Sequence, residues 1–319
     1  MDTGTALITG ASGFVGPHVA AEMARAGWTV WTLDRSTQRH GGMRSVRADL
    51  GERDQVRRAV EDAQPDVVIH LAAQSSVPES FKDPAATLSN NLLGAANLFY
   101  AVADLVPAPR VLSVGSAEEY GAVRPEHLPI HEEQPLAPVS PYGVSKAAQS
   151  LLALSLHTSH GLPVTVLRPF NHTGPGQRPD FVVSAFARQV ARIEAGLDPP
   201  VIRTGNLDAR RDFTDVRDVA RAYRLAATQA VAGELYNIGS GRSVPVRWIL
   251  EELLRLSAVP ATVETDPERL TPSTVPELCA NPEKFRRATG WAPQISLEQT
   301  IRDVLTYWRE QTEGEKQRA

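Results

Sequence analysis

The stretch Thr5-Ala6-Leu7-Ile8-Thr9-Gly10-Ala11-Ser12-Gly13-Phe14-Val15-Gly16 decides the fold. Its apolar and β-branched opening predicts a strand, and the glycines follow it at once. From Val15 to Ala26 the pattern is helical. In a strand-to-helix turn of this kind, Gly10 permits the tight turn and Gly13 lets the backbone approach a pyrophosphate at the positively polarised helix start. Gly16 lets the helix lie close on the sheet. The spacing is G-x-x-G-x-x-G rather than G-x-G-x-x-G. The competing reading is a glycine-rich turn that binds nothing.

Working outward, short apolar runs alternate with helical patterns. Strands are predicted at Ala6–Thr9, Thr29–Leu33, Ser45–Ala48, Val67–Leu71, Val111–Val114 and Val164–Leu167. Helices are predicted at Val15–Ala26, Arg53–Ala63, Pro84–Leu105 and Pro141–His160. This alternation implies an α/β fold, a Rossmann-like doubly wound parallel sheet with helices on both faces. After about Asn171 proline and glycine cluster. Further helices are predicted at Asp215–Thr228, Val246–Leu256 and Leu297–Glu310, and a strand toward Gly233–Ile238. We expect residues 1–170 to form a dinucleotide-binding domain, with segments returning to it near 205–240. Residues 171–204 and 241–319 would form a smaller, interleaved substrate lobe over the strand ends. The polar stretch Glu310–Ala319 is expected to fray.

Composition excludes several classes. The 319 residues carry a net charge of −4 with no long basic run, so nucleic acid is not the expected partner. No apolar stretch approaches the ~20 residues of a membrane span. A single cysteine, Cys279, offers neither a disulfide framework nor a cysteine cluster for zinc. The scattered histidines, including His157 and His160, form no ligand set, so no metal is expected. A cytoplasmic location is expected.

The cofactor end continues from the glycine loop, whose Phe14 and Val15 lie between its last two glycines. Asp34 ends the second strand, 18 residues after Gly16. An acid near that offset bonds ribose hydroxyls and repels a 2′-phosphate, which favours NAD. Arg35 follows and could receive that phosphate, which leaves NADP open. Asp49 and Leu50, after the third strand, stand where an adenine amine could be capped, or Asp49 is a helix cap.

The second chemical signal is Ser140-Pro141-Tyr142-Gly143-Val144-Ser145-Lys146. Tyr142 and Lys146 share one helix face, four residues apart. An ammonium beside a phenol is expected to lower the phenol's pKa from about 10 and make a proton donor or acceptor usable near neutrality. Ser116, at the end of Val111-Leu112-Ser113-Val114-Gly115-Ser116, would meet Tyr142 at a strand's carboxyl end. Phenol, ammonium and dinucleotide together suggest hydride transfer coupled to proton transfer. Ser75 could bond sugar hydroxyls or serve a turn; Arg178 could bind phosphate or lie solvated; His172 could touch the substrate or fix its loop.

The stretches GASGFVG (10–16), HLAAQSSV (70–77), SVGSAEEYG (113–121), SPYGVSK (140–146) and LRPFNHTGPGQ (167–177) resemble the extended short-chain dehydrogenase/reductase family, also called the NAD-dependent epimerase/dehydratase family. The likeness continues through GNLDARRDFTDVRDVA (205–220) and YNIGSG (236–241) and covers nearly the whole chain. It is greatest to GDP-6-deoxy-4-keto-hexose (GDP-4-dehydro-6-deoxy-D-mannose) reductases and GDP-mannose 4,6-dehydratases. The resemblance implies a nucleotide-diphosphate sugar as substrate and Tyr142 as acid/base at its 4-oxygen. Ser116 would bond the same oxygen, and Lys146 the nicotinamide ribose. It places Leu71, Ala72, Ala73 and Asn91 by the cofactor, Asn171 by the sugar nucleotide and Arg211 on the diphosphate. Glu118 stands where 4,6-dehydratases carry the C5 base, or it binds a sugar hydroxyl. Ala117 stands where dTDP-glucose-type dehydratases carry an aspartate acid, and Thr271 where relatives carry a phosphate-binding arginine that Arg269 could replace. A homodimer through a helix pair is implied. The leading expectation is reduction of an NDP-4-keto-6-deoxyhexose. The alternatives are 4-epimerisation or 4,6-dehydration through a transient 4-ketone, and an inactive dinucleotide sensor.

Overall fold

A computed structural model describes residues 3–35, 43–267 and 275–316. The opening stretch forms β1 (Thr5–Thr9), the glycine turn and α1 (Gly16–Arg25). There follow β2 (Thr29–Asp34), β3 (Arg44–Arg47), α2 (Arg53–Ala63), β4 (Val67–His70), α3 (Val77–Lys82), α4 (Pro84–Leu88) and α5 (Gly94–Ala103). Next come β5 (Arg110–Val114), α6 (Pro141–His160), β6 (Val164–Pro169), β7 (Asn171–Thr173) and α7 (Val182–Glu194). The chain continues through β8 (Val201–Thr204), β9 (Arg210–Asp215), α8 (Val216–Gln229), β10 (Leu235–Ile238), β11 (Ser243–Pro245) and α9 (Val246–Leu256). It ends with β12 (Thr262–Thr265), β13 (Glu277–Leu278), α10 (Glu283–Thr289) and α11 (Leu297–Lys316).

Seven parallel strands pair in the order β10-β6-β5-β4-β1-β2-β3. Successive residues of each strand point to opposite faces, so the apolar runs feed two cores. Ile8, Ile69 and Leu112 pack with Val19 and Met23 of α1 and Tyr223 of α8. Leu7, Val68 and Val111 pack on the other face with Val60 of α2, Leu98 of α5 and Leu156 of α6. Helices therefore cover both faces, the doubly wound arrangement. Strand order reverses between β1 and β4, and ligand clefts open at the carboxyl ends of strands beside such a switch. Over that end lie the β7-β9-β11-β13 strands and a separate apolar cluster of α7, α9 and α11.

Three departures from the sequence reading have physical causes. The predicted helix over 84–105 is interrupted by a π-turn at Ser89–Leu93 between α4 and α5, a feature frequent at functional sites. The sequence pattern alone did not reveal α3, α7 or α10. The tail does not fray at Glu310, because α11 runs to Lys316. It is held where Thr312 is buried and Glu315 pairs with Arg192 of α7 at 2.7 Å; tertiary anchoring overrides the polar composition.

Candidate active site

The glycine turn follows from backbone sterics. Gly10 has φ +70, and a Cβ there would lie 2.7 Å from Ala72 Cα, on the other side of the switch point. A Cβ on Gly16 would collide with the backbone of Ala11. The close approach at Gly16 is thus to the turn itself, a correction to the expected contact with the sheet. A Cβ on Gly13 would meet only Gly10 O, at 3.2 Å. The start of α1 has no side-chain cap and no acid in its first turn. Its outward N–H groups and the positive end of the helix dipole suit an anion. Phe14 stacks on His172 of β7, ring planes 4° apart, and so joins the cofactor turn to the substrate loop.

Asp34 ends β2 as predicted and is nearly buried. Its Oδ1 accepts from Ser12 Oγ at 2.9 Å and Ser12 N at 3.3 Å. The side chain of Arg35 is exposed at this end, and its carbonyl accepts from Arg47 Nε at 3.0 Å. Asp49 is exposed and closes a local turn through Gly51 N at 2.9 Å, while the Leu50 carbonyl accepts from Asn97. Leu71, Ala72 and Ala73 follow β4 and are half-buried. Asn91, in the π-turn, is wholly committed inside the protein. It accepts from Gln74 N at 2.7 Å and donates to Gln74 O and to Ser145 Oγ. It therefore fixes the β4 loop against α6.

The catalytic candidates meet at the ends of β5 and α6. Ser140 caps α6 by accepting from Gly143 N at 3.0 Å, with Pro141 following it. This places Tyr142 in the first turn, with its phenol facing Ser116. Ser116 is itself the cap of the short turn Ala117–Glu119, and its Oγ accepts from Glu118 N. The expected lowering of the phenol pKa is not what the structure gives. Burial raises it above its usual 10, and Glu118 and Glu119 push the same way against the Ser116 hydrogen bond. Lys146 Nζ is turned to Val114 O at 2.8 Å and Gln149 Oε1 at 3.0 Å, and burial lowers it to about 8. The phenol is therefore neutral near pH 7, the form that can give a proton away.

Glu118 is half-buried; desolvation raises its carboxyl, opposed by the positive charge of Arg211. Arg211 donates to the carbonyl of Arg210 at 2.8 Å, and buried Asp212 braces this strand through Ser240, Gly241 and Ala280 N–H groups. Asn171 opens β7, half-buried. Arg178 lies on the surface, paired with Asp180, and Ser75 is exposed after β4. The structure thus brings Ser116, Glu118, Tyr142 and Arg211 together, while Arg178, Ser75 and Asp49 stand as exposed groups. Arg269 and Thr271 lie outside the described residues. Among the described residues no metal-binding group of His, Cys, Asp or Glu forms, and no helix is long and apolar enough to cross a membrane.

Sequence reasoning missed Ser12, Gln149 and Glu119. Each has a signal: Ser12 sits inside the glycine loop, Gln149 lies one turn after Lys146, and Ser116-Ala117-Glu118-Glu119 is a capping box.

The family model for GDP-mannose 4,6 dehydratase matches residues 7–304. A GDP-6-deoxy-D-mannose reductase from Pseudomonas aeruginosa is 38% identical over 309 residues, covering 97% of this chain and 98% of that protein. The structure of RMD from Pseudomonas aeruginosa complexed with NADPH superposes with a TM-score of 0.86 at 37% identity, covering 97% and 99% of the two chains. The UDP-glucose 4-epimerase of Thermus thermophilus, in complex with NAD, superposes at 0.85 with 31% identity over 96% and 99%. With that match over nearly its whole length, the chain belongs to the GDP-mannose 4,6-dehydratase family of extended short-chain dehydrogenases.

Proposed function

We propose that this chain is an NAD(P)-dependent nucleotide-sugar oxidoreductase that reduces the C4 ketone of an NDP-4-keto-6-deoxyhexose, GDP-linked by preference. The observation that carries this reading is the placement of Ser116, at the end of β5, and Tyr142, in the first turn of α6, at the same end of the sheet as the uncapped start of α1. Ketone reduction needs a proton donor at the oxygen, a role a positioned phenol can fill. Identity of 38% to a GDP-6-deoxy-D-mannose reductase supports the choice of sugar and base.

The uncapped α1 start, and Gly13, whose missing Cβ would press on Gly10 O, fit a dinucleotide diphosphate. Gly10, Gly13, Phe14, Val15 and Gly16 would hold it by backbone, Asp34 and Arg35 its adenosine ribose, and Leu71, Ala72 and Ala73 would border it. When bound, the dinucleotide supplies the hydride. Tyr142 Oη gives its proton to the sugar 4-oxygen, and Ser116 Oγ donates a second hydrogen bond that stabilises charge building there. Lys146 uses two of its three N–H groups inside the protein, on Val114 O and Gln149 Oε1, and the third would be the one to hold the nicotinamide ribose. Arg211 takes the substrate diphosphate, and Asn171 and Glu118 contact the sugar.

One observation favours a second reading, 4,6-dehydration or epimerisation through a transient 4-ketone: Glu118 is a half-buried acid in the turn capped by Ser116, its carboxyl raised by desolvation and opposed by Arg211. The test supplies GDP-, UDP- and dTDP-linked 4-keto-6-deoxyhexoses with NADPH or NADH. One cofactor oxidised per ketone consumed, fastest with the GDP sugar, is the expected result. Glu118→Gln should keep most of that turnover; its complete loss, with wild type converting a 6-hydroxylated GDP-hexose to the 4-keto-6-deoxy sugar, would replace the reductase by the dehydratase.

The division into a dinucleotide-binding domain and a substrate lobe belongs to the same proposal. So does a homodimer through the helix pair α5 and α6, where Leu93 and Leu151 are 58% and 60% exposed beside Val144 and Tyr100. Apolar side chains repeated along two adjacent helices suit a second copy. Leu93→Glu with Leu151→Glu should sediment as monomer. A reducing cytoplasm fits the lone, buried thiol of Cys279.

A further inference from the structure

We propose that Glu119 is a positioning residue for this site. Its buried carboxylate sets Ser116, the helix bearing Tyr142 and Lys146, and the strand leading into Asn171 in register with one another. The inference rests on reading Tyr142 and Ser116 as the proton-donating pair. Glu119 is fully buried, yet no step of the proposed reaction uses it.

Its contacts reach three elements. Oε1 accepts from Ser116 N at 2.8 Å and from Ser150 Oγ of α6 at 3.0 Å; Oε2 accepts from Arg168 Nε of β6 at 2.7 Å. Arg168 lies three residues before Asn171. Every partner is a donor, so the group is a carboxylate, although burial pushes its pKa upward. A second observation is independent of these bonds. A Cβ on Gly115 would collide with Glu119 Oε1 and sit 3.0 Å from Ser150 Oγ, so the strand end gives up a side chain to admit the carboxylate. A third is the anchoring of Arg168, whose guanidinium lies 4.8 Å over the Tyr120 ring, while Tyr120 Oη donates to Asn237 Oδ1 of β10 at 2.7 Å. The carboxylate is thus part of a braced framework rather than a stray surface charge.

Glu119 also acts through its charge. Tyr142 faces Glu118 and Glu119 from the turn and Tyr223 from α8; Lys146 faces Glu119 and buried His70 of β4. A negative charge there favours the protonated forms of both Tyr142 and Lys146.

The test compares wild type, Glu119→Gln and Glu119→Gln/Arg168→Met. The double variant removes both members of the buried pair, a change that commonly leaves the fold intact. In both variants kcat should fall on the order of 10–10²-fold, as a misplacement of about 1 Å can cause, with the cofactor KM nearly unchanged. The alkaline limb of the kcat profile should move to lower pH. A double variant with wild-type kcat and an unmoved limb would overturn the proposal and leave Glu119 as a mere counter-ion of Arg168. Tyr142→Phe separates the two claims. If it loses turnover while the double variant does not, only the positioning role fails; if it retains turnover, the proton-donor reading fails and takes this inference with it.

Discussion

The glycine turn after β1 and the Ser116–Glu119 turn after β5 sit at the same end of one sheet, yet they are built in opposite ways. The first is made of backbone. Its helix start is uncapped, Gly10 and Gly16 leave no room for a Cβ, and side chains enter mainly at the rim through Ser12 and Asp34. The second is made mainly of side chains that satisfy one another: Glu119 with Ser150, Arg168 and the backbone N–H of Ser116 on one side, Lys146, Gln149 and Ser113 on the other. An anion can be held by unfilled donors, which need only a helix start and small residues. A proton donor has to be aimed, and aiming takes a filled network.

The largest expected effect lies in the second turn. Tyr142→Phe should cut turnover by about 10²–10⁴-fold while leaving the NADPH dissociation constant unchanged, as measured by stopped-flow and fluorescence titration. Loss of cofactor binding in that variant would break the separation of roles. The glycine turn should fail in the other manner. Gly10→Ala forces a Cβ against Ala72 at a φ of +70. It should cost roughly 1–3 kcal/mol of stability and weaken cofactor binding at least about tenfold, read by thermal unfolding and titration.

Next in size is the rim of the first turn. Asp34→Ala removes the carboxylate that would repel a 2′-phosphate and should raise the NADPH to NADH ratio of kcat/KM by roughly tenfold, about 1.4 kcal/mol. The smallest effect is on pH. Lys146 is lowered to about 8 by burial, so its charge is present below that pH and lost above it. Because Tyr142 is raised instead, turnover should be level below pH 8 and decline above it through Lys146. Lys146→Arg, which stays charged, should carry that limb to higher pH on a lower plateau.

The same contrast explains what the sequence disclosed. Gly10, Gly13 and Gly16 announce themselves because backbone sterics impose spacing on a chain, and the alternation around them yields the seven-stranded sheet. The pairing of Tyr142 and Lys146 on one helix face is equally local. The protonation state of Tyr142 is not legible in that pairing, because it depends on burial and on Glu118 and Glu119, which belong to another element. Glu119 is visible as part of a capping box, but its bonds to Ser150 and Arg168 span 31 and 49 residues and follow no period. The end of α11 escapes the sequence for the same reason, since Glu315 is held by Arg192, far away in the chain.

The central claim, net reduction at C4, is tested most directly by isotope. The enzyme is given a GDP-linked 4-keto-6-deoxyhexose and reduced cofactor carrying deuterium at the transferable position, and the product is analysed by mass spectrometry and proton NMR. The account predicts one deuterium at sugar C4 for each cofactor oxidised. A sugar without deuterium at C4, or an epimerised sugar formed without net cofactor oxidation, would contradict it.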